Sequence, residues 1–354
     1  MIVIADDITG AAEMAGIAFS RGQQVSLVCG GSMCYDDVAA QTTVIATDTR
    51  SMTESEASAE TCRIISHLSP GSSPLFKKTD SVLRGHVVAE LTALLQATGY
   101  QRVVYLPANP SKGRIIREGI YYVNNIPLHE TDFSFDPEFP AKTSVLRERF
   151  PDAEAKGILM PDATSLDDIR RVVMKYNDGQ TLFAGAADLF KTLSPLTTVR
   201  DDNATPGFIR ERSDVLILCG STQSKPLNLG IPIAPMPVEI YNGSQDISLW
   251  DTSAYTERHS LILTIPHHHR TGKDAAVHLR TITAEKVKIL VGQHCPQHII
   301  IEGGATAWAT LQALGWTQFD IEGQIAPGVV QMRADNGTLV TLKPGSYPWF
   351  PKST

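Results

Sequence analysis

The sequence predicts an α/β protein of two domains, each a largely parallel sheet flanked by helices, with the active site expected in the cleft between them. Three observations carry that expectation. Short apolar, β-branched runs alternate with helical stretches through most of the chain, the pattern of strand–helix units around a parallel sheet. At 354 residues the chain exceeds what one hydrophobic core ordinarily organises. A polar, proline-containing stretch at 194–214, SPLTTVRDDNATPGFIRERSD, interrupts the alternation and divides a domain over 1–205 from one over 206–354.

The elements follow in order. IVIAD reads as a strand and AAEMAGIAFSRG as a helix, with Gly22 placed to end it. TTVIATDTRS leads into a Glu/Ala-rich helix from about Glu54 to Leu68, and PLFKKTDS leads into HVVAELTALLQATG. RVVYLPANP is a further strand and loop. Between Lys112 and Phe150 the pattern breaks down into a segment rich in Asn, Pro and aromatics. A long irregular stretch inside a domain is usually functional or disordered, and its five Tyr/Phe residues argue against disorder. GILMPDATS, the helix LDDIRRVVMKY and TLFAGAADLF then resume the alternation. A second α/β set comprises DVLILCGSTQ, MPVEIY, HSLILTIP, a helix from Lys273 to about Gln293, and HIIIEGGATAWATLQALG. The last two alternating runs, GVVQMRAD and TLVTLKPG, meet at Asn336-Gly337, a strong hairpin signal.

Composition excludes several classes. A formal net charge of -7 argues against nucleic acid or an anionic membrane as partner. No run approaches the roughly 18 apolar residues of a membrane span, and MIVIADD lacks the basic and apolar regions of a signal peptide, so a cytoplasmic protein is expected. Cys29, Cys34, Cys62, Cys219 and Cys295 are scattered without a CxxC and read as free thiols. The run His267-His268-His269 points its imidazoles in different directions and reads as a loop; no protein metal site is expected.

Ligands of open α/β sheets bind at the carboxyl ends of strands, which directs attention to the polar residues there. In the first half these are Asp6-Asp7, Asp48-Thr49-Arg50, Lys77-Lys78-Thr79-Asp80-Ser81 with Arg84, and Asn109. Carboxylates accept from hydroxyls while Lys and Arg pair with anions, so this set suits a small polyhydroxylated acid. Asp7 read singly is more often a helix-terminus charge than a catalyst, and the adjacent acids with Thr9-Gly10 bring the two readings level. In the second half Gly220-Ser221-Thr222 and Glu302-Gly303-Gly304-Ala305-Thr306 are small residues at strand-to-helix turns, suited to phosphate held by main-chain N–H groups. An acceptor site in one domain and a phosphate donor in the other describe a kinase. No GxxxxGK[ST] supports it, because Gly272-Lys273 is preceded by His267 where the first glycine would stand.

With these residues assembled, the sequence resembles the four-carbon acid sugar kinases. IADDITGA, KKTDSVLRG, LPANPSKGR and EGIYYVNNIPLHETDFSFDP, then PDATS, LCGST, EGGATA, PGVV and TLKPG, are similar to that family's motifs and keep its order nearly end to end. The resemblance implies ATP- and Mg²⁺-dependent phosphorylation of the terminal hydroxyl of a tetronate such as threonate, erythronate or a 3-oxo relative. It gives Asp6, Asp48, Arg50, Lys78, Ser81 and Arg84 substrate-binding roles beside Asp7 and Asp80. Ser221, Glu302, Gly303, Gly304, Thr306, Gly328, Lys343 and Gly345 fall on the nucleotide side. The implied partner is a small-molecule sugar acid, with a homodimer left open.

Three stretches depart from the family pattern. Ala305 stands where the family has an acid, KPGSYPWF replaces a glycine-rich loop, and AGAADLF at 184–190 replaces a Gly-Ser-x-Gly-Leu turn; all three are expected around the nucleotide. They motivate a rival reading, a sugar-acid-binding relative that is inactive or regulatory. In the kinase reading Asp7 or Asp80 is the proton acceptor, the sequence not choosing between them, and Arg84 clamps the substrate carboxylate as a bidentate pair. Tyr347 and Trp349 are candidates to stack on a nucleotide base.

Overall fold

A computed structural model of the protein describes residues 1–30, 40–68, 73–136, 138–197, 214–220, 229–266 and 272–345. The chain forms two compact units. The first is Met1–Val25 with Gly30–Arg200, and the second is Ser26–Cys29 with Asp201–Thr354. Among the described residues no helix is long and apolar enough to cross a membrane. Cys29, Cys62, Cys219 and Cys295 are free thiols.

The N-terminal portion runs β1 (Ile2–Ala5), α1 (Ile8–Ser20), β2 (Val25–Cys29), β3 (Thr42–Ala46), α2 (Glu54–Ser66), β4 (Leu75–Lys78), α3 (Val87–Ala97) and β5 (Arg102–Leu106). After β5 come β6 (Arg114–Arg117), β7 (Ile120–Val123), β8 (Ile126–Pro127), α4 (Leu146–Arg149), β9 (Ile158–Leu159), α5 (Leu166–Tyr176), β10 (Thr181–Gly185) and α6 (Ala187–Leu193). The first unit's main sheet is ordered β3-β1-β4-β10-β5-β9, and every pairing in it is parallel. Its central strands are buried end to end, which is why IVIA, TTVIA and TLFAG read as continuous apolar runs rather than as alternation.

Helix boundaries follow local chemistry. Asp7 caps α1 by accepting from the Gly10 N–H at 2.7 Å, and Gly22, at φ 85°, follows its end. Reciprocal capping boxes, Thr53 with Glu56 and Ser165 with Asp168, start α2 and α5.

The irregular segment holds more order than its sequence predicts. Strands β6, β7 and β8 form a small antiparallel sheet, turned by Glu118 and Gly119, both at positive φ. Asp162 stabilises the turn by accepting from both backbone N–H groups, at 2.7 and 2.9 Å. These strands are two to four residues long, too short for a period to show.

The second unit continues with β11 (Val215–Cys219), β12 (Ile233–Pro235), α7 (Val238–Tyr241), α8 (Ala254–Arg258), β13 (Ser260–Thr264), α9 (Lys273–His294), β14 (His298–Glu302), α10 (Gly304–Leu314), β15 (Gln318–Ala326), β16 (Val329–Ala334) and β17 (Leu339–Lys343). Strands β12-β13-β11-β14-β17 are parallel, and β16 and β15 extend the sheet antiparallel. Asn336-Gly337 makes the β16–β17 hairpin, as its sequence predicts. β2 pairs antiparallel with β15, Phe319 opposite Leu27, so four residues from near the N-terminus belong to this unit. VEIY is helical behind Pro237, and the strand before it is IAP.

Candidate active site

Strand register sets the geometry. In the first unit Ala46, Ala5, Lys78, Gly185 and Leu106 pair in one row across β3, β1, β4, β10 and β5. The residues just beyond that row carry the candidate chemistry. Asp6 and Asp7 follow β1, a 3₁₀ turn Thr49–Ser51 follows β3, and Thr79 to Arg84 follow β4.

One guanidinium organises the cluster. Arg50 donates from Nε and Nη2 to Asp6 Oδ2, at 3.0 and 2.9 Å, and from Nη1 to Asp7 Oδ2 at 2.8 Å. Its Nη2 also lies 3.7 Å from Asp80 Oδ1. Burial raises the Asp6 carboxyl above its ordinary value, against the pull of Arg50. Burial also pushes Asp7 up, but Arg50, the Thr9 hydroxyl and Lys78 outweigh it and leave the carboxyl below its ordinary value. Asp80 is buried too, yet Arg50 and Arg84 hold it well below the usual carboxylate range.

Arg84 forks onto Asp80, Nε to Oδ2 at 3.0 Å and Nη2 to Oδ1 at 2.9 Å, and the Val82 N–H adds a donor to Oδ2 at 3.0 Å. The bidentate face expected to clamp a substrate carboxylate is therefore engaged by Asp80, and Nη1 stands 3.6 Å from Asp136. Both oxygens of Asp80 and both of Asp7 accept hydrogen bonds, and Asp7 keeps 18% side-chain exposure against 10% for Asp80. Lys78 donates to the Thr79 carbonyl at 2.9 Å and lies 3.5 Å from Glu13. Ser81 accepts from Arg114, and its carbonyl accepts from the Tyr121 hydroxyl at 2.5 Å. Asp48 accepts from Ser51 within its own turn.

Several supporting residues were not singled out in the sequence. Glu13 pairs with Lys112 at 2.6 Å as well as with Lys78. Arg149 donates to the carbonyl of Leu83 at 2.9 Å, a buried residue held at φ 66°. A bulky residue in that conformation stores strain, which active-site turns commonly do. Tyr121, Arg114, Arg149 and Asp136 all come from the irregular segment. Their role depends on tertiary approach, and only that segment's failure to fit a period hinted at it.

AGAADLF, expected around the nucleotide, lies in the first unit as the β10–α6 junction. Its Asp188 accepts from Ser111 through N–H and Oγ, at 2.9 and 2.8 Å, pinning the LPANPSKGR loop. The parallel pairing of β10 with both β4 and β5 puts it there.

In the second unit Thr264, Cys219, Glu302 and Lys343 form the corresponding row. Lys343 and Glu302 are buried and paired at 2.5 Å. Gly303, at φ 99°, precedes α10, a backbone angle that a side chain would strain. Gly220 approaches so closely that a Cβ there would sit 2.1 Å from Thr306 Oγ1. Thr306 is buried on α10, and Ala305 is exposed in its first turn. Gly328 turns β15 into β16 at φ 81°, at the Lys343 end because Val330 pairs with Leu342. Gly345 follows two residues after Lys343. Ser221, Thr222, His267–His269, Tyr347 and Trp349 lie outside the described residues. Among the described residues no group of three or more His, Cys, Asp or Glu side chains is placed to hold a metal ion.

The chain matches two family models, a sugar-binding N-terminal domain over residues 1–168 and a nucleotide-binding C-terminal domain over residues 249–347. It is 29% identical over 255 residues to a D-threonate kinase of Salmonella typhimurium, covering 62% of this chain and 57% of that protein, so the match spans just over half the relative's length. A 3-oxo-tetronate kinase of Haemophilus influenzae is 25% identical over 397 residues, covering 98% of this chain and 96% of that one. A D-erythronate kinase of Heliobacterium modesticaldum is 31% identical over 155 residues, 42% of this chain and 35% of the relative. A Haemophilus influenzae crystal structure shares the fold, with a TM-score of 0.68 at 20% identity, covering 98% of this chain and 97% of that one. Two domain models in this order, on relatives that carry these names, give one assignment: the chain belongs to the four-carbon acid sugar kinase family.

Proposed function

We propose that the protein is an ATP-dependent kinase that phosphorylates the terminal hydroxyl of a four-carbon sugar acid of the threonate, erythronate or 3-oxo-tetronate type. The observation that carries this reading is the Arg50 guanidinium shared among Asp6, Asp7 and Asp80 at a level row of strand ends. Three carboxylates tied by one cation form a rigid set of acceptors for the hydroxyls of a small polyol. Lys78, Ser81 and Arg84 supply the donors that a substrate carboxylate needs, by exchange with their present partners.

Asp7 is the proton acceptor in this reading. Asp80, 10% exposed against 18% for Asp7 and gripped on both oxygens by the Arg84 fork, serves instead to orient Arg84. A weak base suffices for phosphoryl transfer, because the transition state is loose and catalysis rests on positioning and charge neutralisation.

The second unit fits nucleotide phosphates. The Gly303-Gly304 start of an eleven-residue helix puts the N–H groups of its first turn at the strand end, the Gly303 N–H itself donating to the Lys343 carbonyl at 2.9 Å, and Gly220 lets the preceding strand end pack directly against Thr306. When bound, Mg²⁺-ATP supplies the phosphoryl group and part of the neutralising charge. Among the described residues of the β14–α10 turn the acidic candidate near Mg²⁺ is Glu302, already paired with Lys343. The ion would rest chiefly on the nucleotide's own phosphates and on water.

Ala305 supports a second reading, a sugar-acid-binding regulator without transfer activity. Calorimetry decides between them. Mg²⁺-ATP binding together with tetronate binding supports the kinase; tetronate binding with no nucleotide bound at millimolar concentration supports the regulator.

A further inference from the structure

Beneath the acceptor cluster lies a buried ion pair that no ligand can reach. Lys77, with 0% side-chain exposure, places Nζ 2.5 Å from Glu90 Oε1, whose side chain is 2% exposed. Adjacent lysines on one strand project to opposite faces. Lys78 goes to Glu13 on α1, and Lys77 goes to Glu90 on α3. Removing both charges from water carries a desolvation penalty that an apolar pair of similar volume would avoid. Stability alone gives weak reason to keep such a pair, so its other contacts matter.

The same Glu90 oxygen accepts from the Thr49 hydroxyl at 2.7 Å. Thr49 is fully buried and directly precedes Arg50. Within the 3₁₀ turn that carries Arg50, the Thr49 hydroxyl is the side-chain link to Glu90 on α3. The Thr49 N–H in turn donates to Thr47 Oγ1 at 3.3 Å, and the Thr47 hydroxyl donates to the Ala5 carbonyl at 2.8 Å, one residue before Asp6. The Arg50 N–H closes the circuit on the Asp6 carbonyl at 3.2 Å. Lys77 and Glu90 act on the Asp6 carboxyl with opposite sign, Lys77 lowering and Glu90 raising it.

We propose that Glu90, held by Lys77, is a positioning residue that fixes Arg50 through Thr49 and thereby sets the spacing of Asp6, Asp7 and Asp80. The identity of the ligand rests on the kinase reading above; the positioning role does not. The test uses the full chain and three variants, Thr49→Val, Thr49→Ser and Glu90→Gln. Two quantities are measured: D-threonate affinity by calorimetry, and hydrogen exchange at the Arg50 Nε–H by ¹⁵N NMR. Thr49→Val keeps the shape and removes the hydroxyl, so it is expected to weaken D-threonate binding about tenfold, the size of one hydrogen bond, and to accelerate the Arg50 exchange. Thr49→Ser restores both. Glu90→Gln also accelerates the exchange, because the charged acceptor is gone. Unchanged exchange in Thr49→Val and Glu90→Gln, with affinity within about twofold of the parent, overturns the proposal. If the parent chain does not bind D-threonate, that result counts against the kinase reading for this acid, and the exchange measurement alone decides the positioning role.

Discussion

Asp7 carries two duties that one substitution pair separates. Its Oδ1 caps α1 through Gly10, while Oδ2 faces Arg50 and Thr9. Asn caps a helix as well as Asp does, so Asp7→Asn should keep the helix cap, giving up only the carboxylate's charged pairing with Arg50, yet lower kcat by about 10²-fold or more if the carboxylate takes the proton. Asp7→Ala should lose the same activity and in addition about 1 kcal/mol of stability, read by urea denaturation. Equal kcat in Asp7→Asn and the parent would remove Asp7 from the chemistry. Asp80→Asn is expected to abolish turnover for a different reason, since it frees Arg84 from its fork. A Circular dichroism spectrum like the parent's, together with loss of activity, would show that the loss is not unfolding.

At the scale of elements, the strand ends are tuned by charge and by close approach. Asp7 and Asp80 have folded values below their unfolded ones, so each contributes stability that is present above about pH 4 and is lost as pH falls through its depressed value. Asp6 is shifted the other way; its contribution is complete below about pH 4 and fades as pH rises through its raised value. Unfolding free energy measured from pH 5 down to pH 2 should therefore fall with acid in the parent and fall less in Asp80→Asn; identical slopes would contradict the assignment of that carboxylate. In the second unit, Gly220→Ala forces a methyl against Thr306 and should cost about 1–3 kcal/mol of stability, with weaker nucleotide binding. Much of this was legible in the sequence. Apolar runs ending in Asp6-Asp7, Asp48-Thr49-Arg50 and Lys77 to Ser81 were readable as strand ends, because a parallel sheet levels its carboxyl termini. What was not legible depends on contacts distant in sequence: Arg149 on Leu83, Tyr121 on Ser81, and Glu90 under Thr49. The β6–β8 sheet was hidden because its strands are shorter than a readable period.

At the scale of the whole molecule, the α/β class and the alternation of elements followed from sequence, since β-branched runs and capped helices are local signals. The recruitment of Ser26–Cys29 into the second unit did not, because a strand's sequence does not name its partner. The residues gathered around Arg50 belong to the first unit and the glycine-led helix to the second; in the proposed reaction the first holds the sugar acid and the second the nucleotide. The most direct test is a ³¹P NMR time course of the full chain with Mg²⁺-ATP and D-threonate, D-erythronate or a 3-oxo-tetronate in turn. With at least one acid, the account predicts loss of the ATP γ-phosphate signal matched by an equal gain of a phosphomonoester on the acid's terminal carbon. Persistence of ATP with every acid, while calorimetry shows an acid bound, would contradict it.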